Sequence, residues 1–304
     1  MLIKNKDIFV GVAMGLIAAL IWGSWPVISN LAQIQNVTSI EIAILRFGIS
    51  GLVLLPVLFY HSVPLRLLCT KGCVLAIGAG LPYALLAMKG MTLSSSAHFG
   101  IITPSCMLVF STLGSVYLLS ERLTRQRIVG ILIIILGVLF VGLSNLGDMN
   151  MQVVWGDLMF IGCGALWASF TVFSKYWGIN AWVATAMVSV VSGVVCLPFY
   201  AFDYTSLFAN LSLSYILIQG AFQGILVAIF ALYSYSKSVS LLGAAKGAVF
   251  AALVPPFALC LGVFILNEVV TWVEIVGIAC VVLGMLFALG LIQLSYKKKL
   301  SVSI

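Results

Sequence analysis

Apolar residues along this chain come in long blocks, and polar residues come in short stretches between them. A helix needs about 20 mostly apolar residues to cross some 30 Å of hydrocarbon. Ten segments meet that length, at 8–30, 39–60, 72–91, 95–119, 127–146, 153–174, 181–201, 212–235, 241–266 and 272–295. Runs such as Ile131 to Val141 do not alternate every second residue, which excludes the strands of a membrane β-barrel. The pattern predicts an all-α membrane protein with ten transmembrane helices. The connections are too short to hold a soluble domain, so function must lie within the helices or at their mouths. The first apolar run continues to Ser29 without a small-residue cleavage site, and it reads as a membrane helix, not a signal peptide.

Composition agrees: 63% of residues are hydrophobic and 8% charged, against roughly 45–50% and about 25% in soluble domains. The net charge of +7 does not call for a nucleic-acid partner, because the 15 Lys and Arg residues sit between spans as topology signals. With the N-terminus inside, Lys4, Lys6, Arg66, Lys71, Arg122, Arg125, Arg127, Lys175, Lys237 and Lys297–Lys299 all fall on the cytoplasmic side. Only Lys89 falls outside, and Arg46 and Lys246 lie within spans. Both termini are therefore expected in the cytoplasm, for a multi-pass protein of the cell inner membrane. The seven cysteines are scattered, with no C-x-x-C pair, so neither a disulfide framework nor a metal site is expected.

The two halves of the chain repeat. Glu121-x2-Thr124-x3-Ile128-Val129-Gly130-x6-Gly137 recurs as Glu268-x2-Thr271-x3-Ile275-Val276-Gly277-x6-Gly284, a shift of 147 residues. Gly11, Trp22, Ser24, Val27 and Ser29 map onto Gly156, Trp167, Ser169, Val172 and Ser174 with a shift of 145. Ser96-Ala97-His98 corresponds to Ala244-Ala245-Lys246. Residues 1–147 and 153–296 thus form two five-helix repeats, followed by a basic tail at 297–304. An odd helix count turns the second copy over in the membrane. Inverted repeats are an architecture of secondary transporters, with substrate held near the midplane between the copies.

The same residues resemble bacterial transporters of the EamA type, within the drug/metabolite transporter superfamily. The resemblance covers nearly the whole chain. It rests on Trp22-Gly23-Ser24, Leu45-Arg46-Phe47, the small residues leading to Pro104, Glu121 with Gly130 and Gly137, Trp167-Ala168-Ser169, the Ala-rich run to Pro255, and Glu268. It implies a carrier of small metabolites, often an exporter of amino acids or related compounds, with a cavity between the halves. Related small multidrug transporters carry protons on an acid in the first helix; this chain has none between Gly11 and Ser29.

Ionisable residues within spans are costly and mark candidate sites. Lys246 either lines the cavity and attracts an anionic substrate group or snorkels to the interface. His98 is a gate, proton acceptor or substrate partner on one reading, and a histidine bonded to a nearby carbonyl on the other. Arg46, with no helical partner in Glu41, reads as an anchor paired on another helix. Glu121 and Glu268 read as structural charges, and Asp157 as the cap of the sixth helix, with proton coupling as the other reading. Trp22 and Trp167 lie too deep for the interface belt and, with Trp25, Tyr83 and Tyr233, are candidate substrate contacts, packing between the halves being the other reading of the two deep tryptophans. Pro26, Pro82, Pro104, Pro255 and Pro256 interrupt helices at depth and are candidate hinges. The first, third, fourth, sixth, eighth and ninth helices are expected to line the pocket, and the fifth and tenth to lie at the periphery.

These features favour a secondary-active transporter of small metabolites working by alternating access. The alternatives are a facilitative uptake carrier for a small metabolite or quaternary amine, a channel, and a membrane-embedded enzyme. No nucleotide motif, cofactor motif or grouped acids favour an enzyme or an ATP-driven pump. A channel would want rings of identical groups from several subunits, whereas the pseudosymmetry here is internal and is compatible with a monomer. Beyond the small-molecule substrate and the lipid bilayer, no partner is indicated.

Overall fold

The computed structural model describes residues 5–120, 123–143, 151–202, 208–209, 211–242 and 249–292. Glu121, Lys246 and the basic tail lie outside the described residues. Eight described helices are long and apolar enough to cross a membrane. They are α1 (Asn5–Ile34), α2 (Ser39–Tyr60), α3 (Leu65–Met91), α4 (Ser96–Leu119), α5 (Arg125–Leu143), α6 (Met151–Tyr176), α7 (Ala181–Phe202) and α8 (Leu213–Tyr235). Two shorter apolar helices follow, α9 (Val254–Leu266), entered through a 3₁₀ turn at Val249–Leu253, and α10 (Trp272–Ala288).

Side chains at the helix starts supply the hydrogen-bond acceptors that the first backbone amides lack. Thr38 with Glu41 and Thr271 with Glu274 form capping boxes at α2 and α10. Ser95 and Ser212 cap α4 and α8. Three helices carry π-helical turns: Ile44–Gly48 in α2, Leu68–Gly72 in α3 and Ala221–Phe230 in α8. Such turns widen the helix and displace the side chains that follow, often at functional sites. At the break before Pro82 in α3, the Leu81 amide donates to Ser192 Oγ of α7 at 3.1 Å, outside the helix ladder. A Cβ on Gly80 would run into that same hydroxyl, so the bend depends on glycine there.

Lipid tails give helices no hydrophobic reason to associate, so close packing at small residues must hold them together. The fifth and tenth helices show how. Gly130 lies against Gly284 and Ala288, and Gly137 against Gly277 and Val281, each glycine touching the backbone of the facing helix. Numbers rise along α5 as they fall along α10, so the two run antiparallel. The contacts are also reciprocal, because Gly277 and Gly284 are the repeat counterparts of Gly130 and Gly137. The expected peripheral helices are thus paired with each other along a glycine seam. Gly193 of α7 meets Phe47 and Gly48 of α2 in the same manner, and Gly51 meets Ser189. The repeated Trp-x-Ser segments match locally as well: Ser24 Oγ donates to the Ile21 carbonyl and Ser169 Oγ to the Leu166 carbonyl.

Candidate functional site

Two groups of side chains bring the halves together, one deep in the bundle and one at its end. The deep group centres on Trp25 of α1, which is 4% exposed. Its indole N–H donates to Gln223 Oε1 of α8 at 2.9 Å, and Gln223 Nε2 donates to Ser29 Oγ at 3.1 Å. Both ends of a fully buried amide are therefore used, and they aim the indole ring. Tyr83 of α3 stacks on Trp25 with centroids 6.3 Å apart, and Phe99 of α4 meets it edge-on at 5.2 Å. Tyr83 also meets Trp167 of α6 at 4.9 Å, and Trp167 meets Phe170 at 6.0 Å. Trp25, Tyr83 and Trp167, three sequence candidates, thus form one continuous aromatic cluster from both repeats.

Arg46 stands over this cluster. It lies in the π-helical turn of α2, 7% exposed, with its guanidinium carbon 4.9 Å from the Trp25 ring centre and 5.6 Å from that of Phe47. Neither Nε nor Nη1 has a hydrogen-bond partner among the described residues, and no carboxylate pairs with the group. Glu41, the nearest acid in sequence, is occupied by its capping box and by the amide of Phe208. The expected partner on another helix is therefore not found among the described residues; aromatic faces take its place. One turn further along α2, buried Ser50 also has an unpartnered hydroxyl. Counted at 1.5 Å per residue, Arg46 lies about 10 Å below the start of α2 and Trp25 about 13 Å below the end of α1. A charge buried that deeply costs several kcal/mol unless something pairs with it. Cation–π contact with Trp25 returns about 2 kcal/mol of that when desolvated.

The second group sits where α4, α6 and α10 begin. His98, 2% exposed, places Nδ1 at 2.9 Å from Asp157 Oδ1 and Nε2 at 2.9 Å from Glu274 Oε1. Asp157 also accepts from Ser94 Oγ at 2.7 Å, and Glu274 accepts from the amide and hydroxyl of Thr271. Asp157 is six residues inside α6, so it is an interior ion-pair partner and not the expected helix cap. Beside it, Glu268 accepts from the Ser96 amide and hydroxyl and from the Ala97 amide, tying the segment after α9 to the start of α4. Asn267 at φ 56° turns the chain back, and Gly262 leaves room for the Glu268 carboxylate. A cavity of about 200 Å³ opens here, lined by Ser94, His98, Val153, Glu268 and Glu274.

The remaining candidates lie elsewhere. Trp22 packs on Tyr235 at 5.4 Å and lies between the main core and a smaller cluster with Phe250, Val254 and Phe257. Tyr233 is 42% exposed and faces Trp182 at 6.2 Å, away from the Trp25 cluster. Pro26 lies inside α1 one residue after Trp25, Pro104 lies inside α4, and Pro255 and Pro256 open α9. Gln223 and Glu274 were not singled out from sequence. The Thr271-x2-Glu274 spacing is that of a capping box and could mark Glu274 at a helix start, whereas nothing local to Gln223 marks it. Among the described residues, no group of His, Cys, Asp and Glu is arranged to hold a metal ion.

Comparison with known proteins agrees with this architecture. The EamA-like transporter family model matches twice, over residues 9–143 and 154–290. The uncharacterized transporter YetK of Bacillus subtilis (strain 168) is 26% identical over 287 residues, covering 90% of this chain and 85% of that one. A protein known from a crystal structure has the same fold, with a TM-score of 0.63 at 20% identity over 92% of this chain and 97% of its own. The chain is a multi-pass membrane protein and belongs to the EamA-like transporter family, within the drug/metabolite transporter superfamily.

Proposed function

We propose that this protein is a secondary-active exporter of amino acids or related small metabolites, working by alternating access between two inverted five-helix repeats. Both termini lie in the cytoplasm on this reading, and a single chain supplies both halves. The reciprocal antiparallel contacts of Gly130 with Gly284 and of Gly137 with Gly277 support the inversion, since a twofold axis perpendicular to those helices would produce that reciprocity. The polar ties between His98, Asp157 and Glu274 support a mouth that closes by reversible contacts, because charged pairs at a wet cavity exchange partners more easily than packed hydrocarbon.

The buried guanidinium of Arg46 over Trp25, with no partner for Nε or Nη1 among the described residues, carries the substrate assignment. A carboxylate matches the planar guanidinium fork in a bidentate bond, and the adjoining Trp25, Tyr83 and Trp167 rings suit an apolar or aromatic body. In the arrangement seen here the Tyr83 and Trp167 rings touch, so substrate enters as the halves part.

Solute counterflow in liposomes containing the purified protein tests this reading. Amino acids, nucleosides and quaternary amines are loaded unlabelled inside, and uptake of each labelled counterpart is followed. Exchange of amino acids that is lost in Arg46→Gln is the expected result. Exchange confined to nucleosides or quaternary amines would overturn the substrate class, and exchange of no solute would overturn the carrier itself.

A further inference from the structure

We propose that His98, Asp157 and Glu274 form the proton-binding site that couples transport to proton movement, and that the bound proton holds this end of the bundle shut. The coupling half rests on the carrier reading above; the latch half does not.

Proton counting leads to this assignment. A neutral imidazole has one N–H and one lone pair, whereas both ring nitrogens of His98 face carboxylate oxygens at 2.9 Å. Bonding both acids therefore requires one proton more than a neutral ring beside two carboxylates. When that proton leaves to water, one ring N–H bond breaks and a bare lone pair faces a carboxylate. The corresponding tie fails, and the three groups pass from a net charge of −1 to −2. Either acid can be released without being stranded, since Asp157 keeps Ser94 Oγ and Glu274 keeps Thr271.

Position makes the proton consequential. His98 belongs to the first repeat, on α4, while Asp157 and Glu274 belong to the second, on α6 and α10. The extra proton thus adds a tie between the halves beside those that Ser94 makes to Asp157 and Ser96 to Glu268. The cavity of about 200 Å³ reaches His98 and Glu274 and gives water a route to them, which a sealed structural anchor would lack. Among the described residues on elements packed against α4, Asp7, Arg66, Lys71, Arg125 and Lys175 lie towards the helix ends remote from His98. Glu268 is bound to Ser96 and Ala97, Lys89 of α3 is exposed, Tyr83 lies deeper against Trp25, and Arg127 of α5 donates to Thr112 at the far end of α4. Imidazole is the side chain that exchanges protons in the range a cell controls. On the exporter reading, a proton taken from outside closes the outer mouth, and substrate leaves when that mouth opens.

Two measurements on the full-length protein test the proposal. In liposomes, an imposed pH gradient should drive net transport of the amino acid identified by counterflow. In His98→Gln that drive should be lost, while exchange at equal pH continues at a rate no longer sensitive to pH. Gradient-driven transport that survives in His98→Gln, or loss of drive and exchange together in folded protein, would overturn the coupling role. The second measurement needs no substrate. Spin labels at Thr92→Cys and Val269→Cys, with the seven native cysteines replaced, report the distance between the halves at this mouth. The distance should lengthen as pH rises in protein retaining His98 and stay constant in His98→Gln. A pH-independent distance in both would overturn the latch, even if transport is found. A pH-dependent distance without transport would keep the latch and overturn the carrier reading.

Discussion

The guanidinium of Arg46 lies 4.9 Å over the ring of Trp25, whose indole N–H is fixed by Gln223 across the interface between the two repeats. The cation comes from a π-helical turn in α2 and the amide from a π-helical turn in α8. The cation does not help the protein fold. A buried guanidinium without a carboxylate opposes folding, and its retention fits a site that spends stability on binding. Replacing Arg46 by Met fills the volume without the charge. Thermal unfolding of Arg46→Met should show a gain of about 1–4 kcal/mol over the unchanged protein, with loss of amino acid exchange. A destabilised Arg46→Met would make Arg46 a structural residue.

Gln223 uses both ends of its amide, on Trp25 and on Ser29. Gln223→Leu keeps the bulk and strands the indole N–H in an apolar setting. A cost of about 1–3 kcal/mol is expected, read as a lower unfolding midpoint. Trp25 fluorescence should shift, because the ring loses the bond that aims it. A midpoint and spectrum unchanged from the parent would mean that this hydrogen bond does not form.

The glycine seam between α5 and α10 predicts an asymmetry along one helix. Gly130→Leu places a side chain against the backbone of Gly284 and Ala288 and should cost about 1–3 kcal/mol or prevent folding. Gly142, in the same helix, has nothing within 4 Å of an added Cβ. Gly142→Ala should therefore be neutral or stabilise by about 0.5–1 kcal/mol. Size-exclusion profiles and unfolding midpoints of the two variants check this.

Thr38 and Thr271 cap α2 and α10 with the same box, but only the partner of Thr271 also holds His98. Each Thr→Ala change should cost about 0.5–2 kcal/mol through the lost cap. Thr271→Ala should in addition alter the pH dependence of exchange, because Glu274 loses the bonds that orient it. Equal effects of both substitutions on the pH profile would separate the cap from the latch.

Much of this arrangement was legible in the sequence wherever the signal is local or repeated. The Glu-x2-Thr segments with their Ile-Val-Gly runs gave the two halves, and the facing glycines in α5 and α10 are members of that motif. Trp25, Tyr83 and Trp167 are readable as candidate substrate contacts, and His98 as an ionisable group within a span. What linked them was not readable. His98 meets Asp157 and Glu274 across 59 and 176 residues, and Trp25 meets Gln223 across 198. No spacing rule reaches that far. Tyr233 follows the π-helical segment Ala221–Phe230, which moves later side chains around the helix and off the face that regular α-helical periodicity assigns. Arg46 reads as an anchor in the sequence because buried charges usually have partners, and the lack of a partner for its Nε and Nη1 among the described residues is a property of the packed bundle alone.

The central claim is that Arg46 reads the carboxylate of a transported amino acid. Binding of the exchanged amino acid and of its carboxamide, measured on protein in lipid nanodiscs with and without Arg46→Gln, tests it most directly. A charged hydrogen-bonded pair contributes about 1.5–3 kcal/mol, roughly tenfold to over a hundredfold in Kd. The account predicts that preference for the carboxylate in the unchanged protein and its disappearance in Arg46→Gln. Equal affinity for acid and amide in the unchanged protein, or a preference that persists without Arg46, would contradict it.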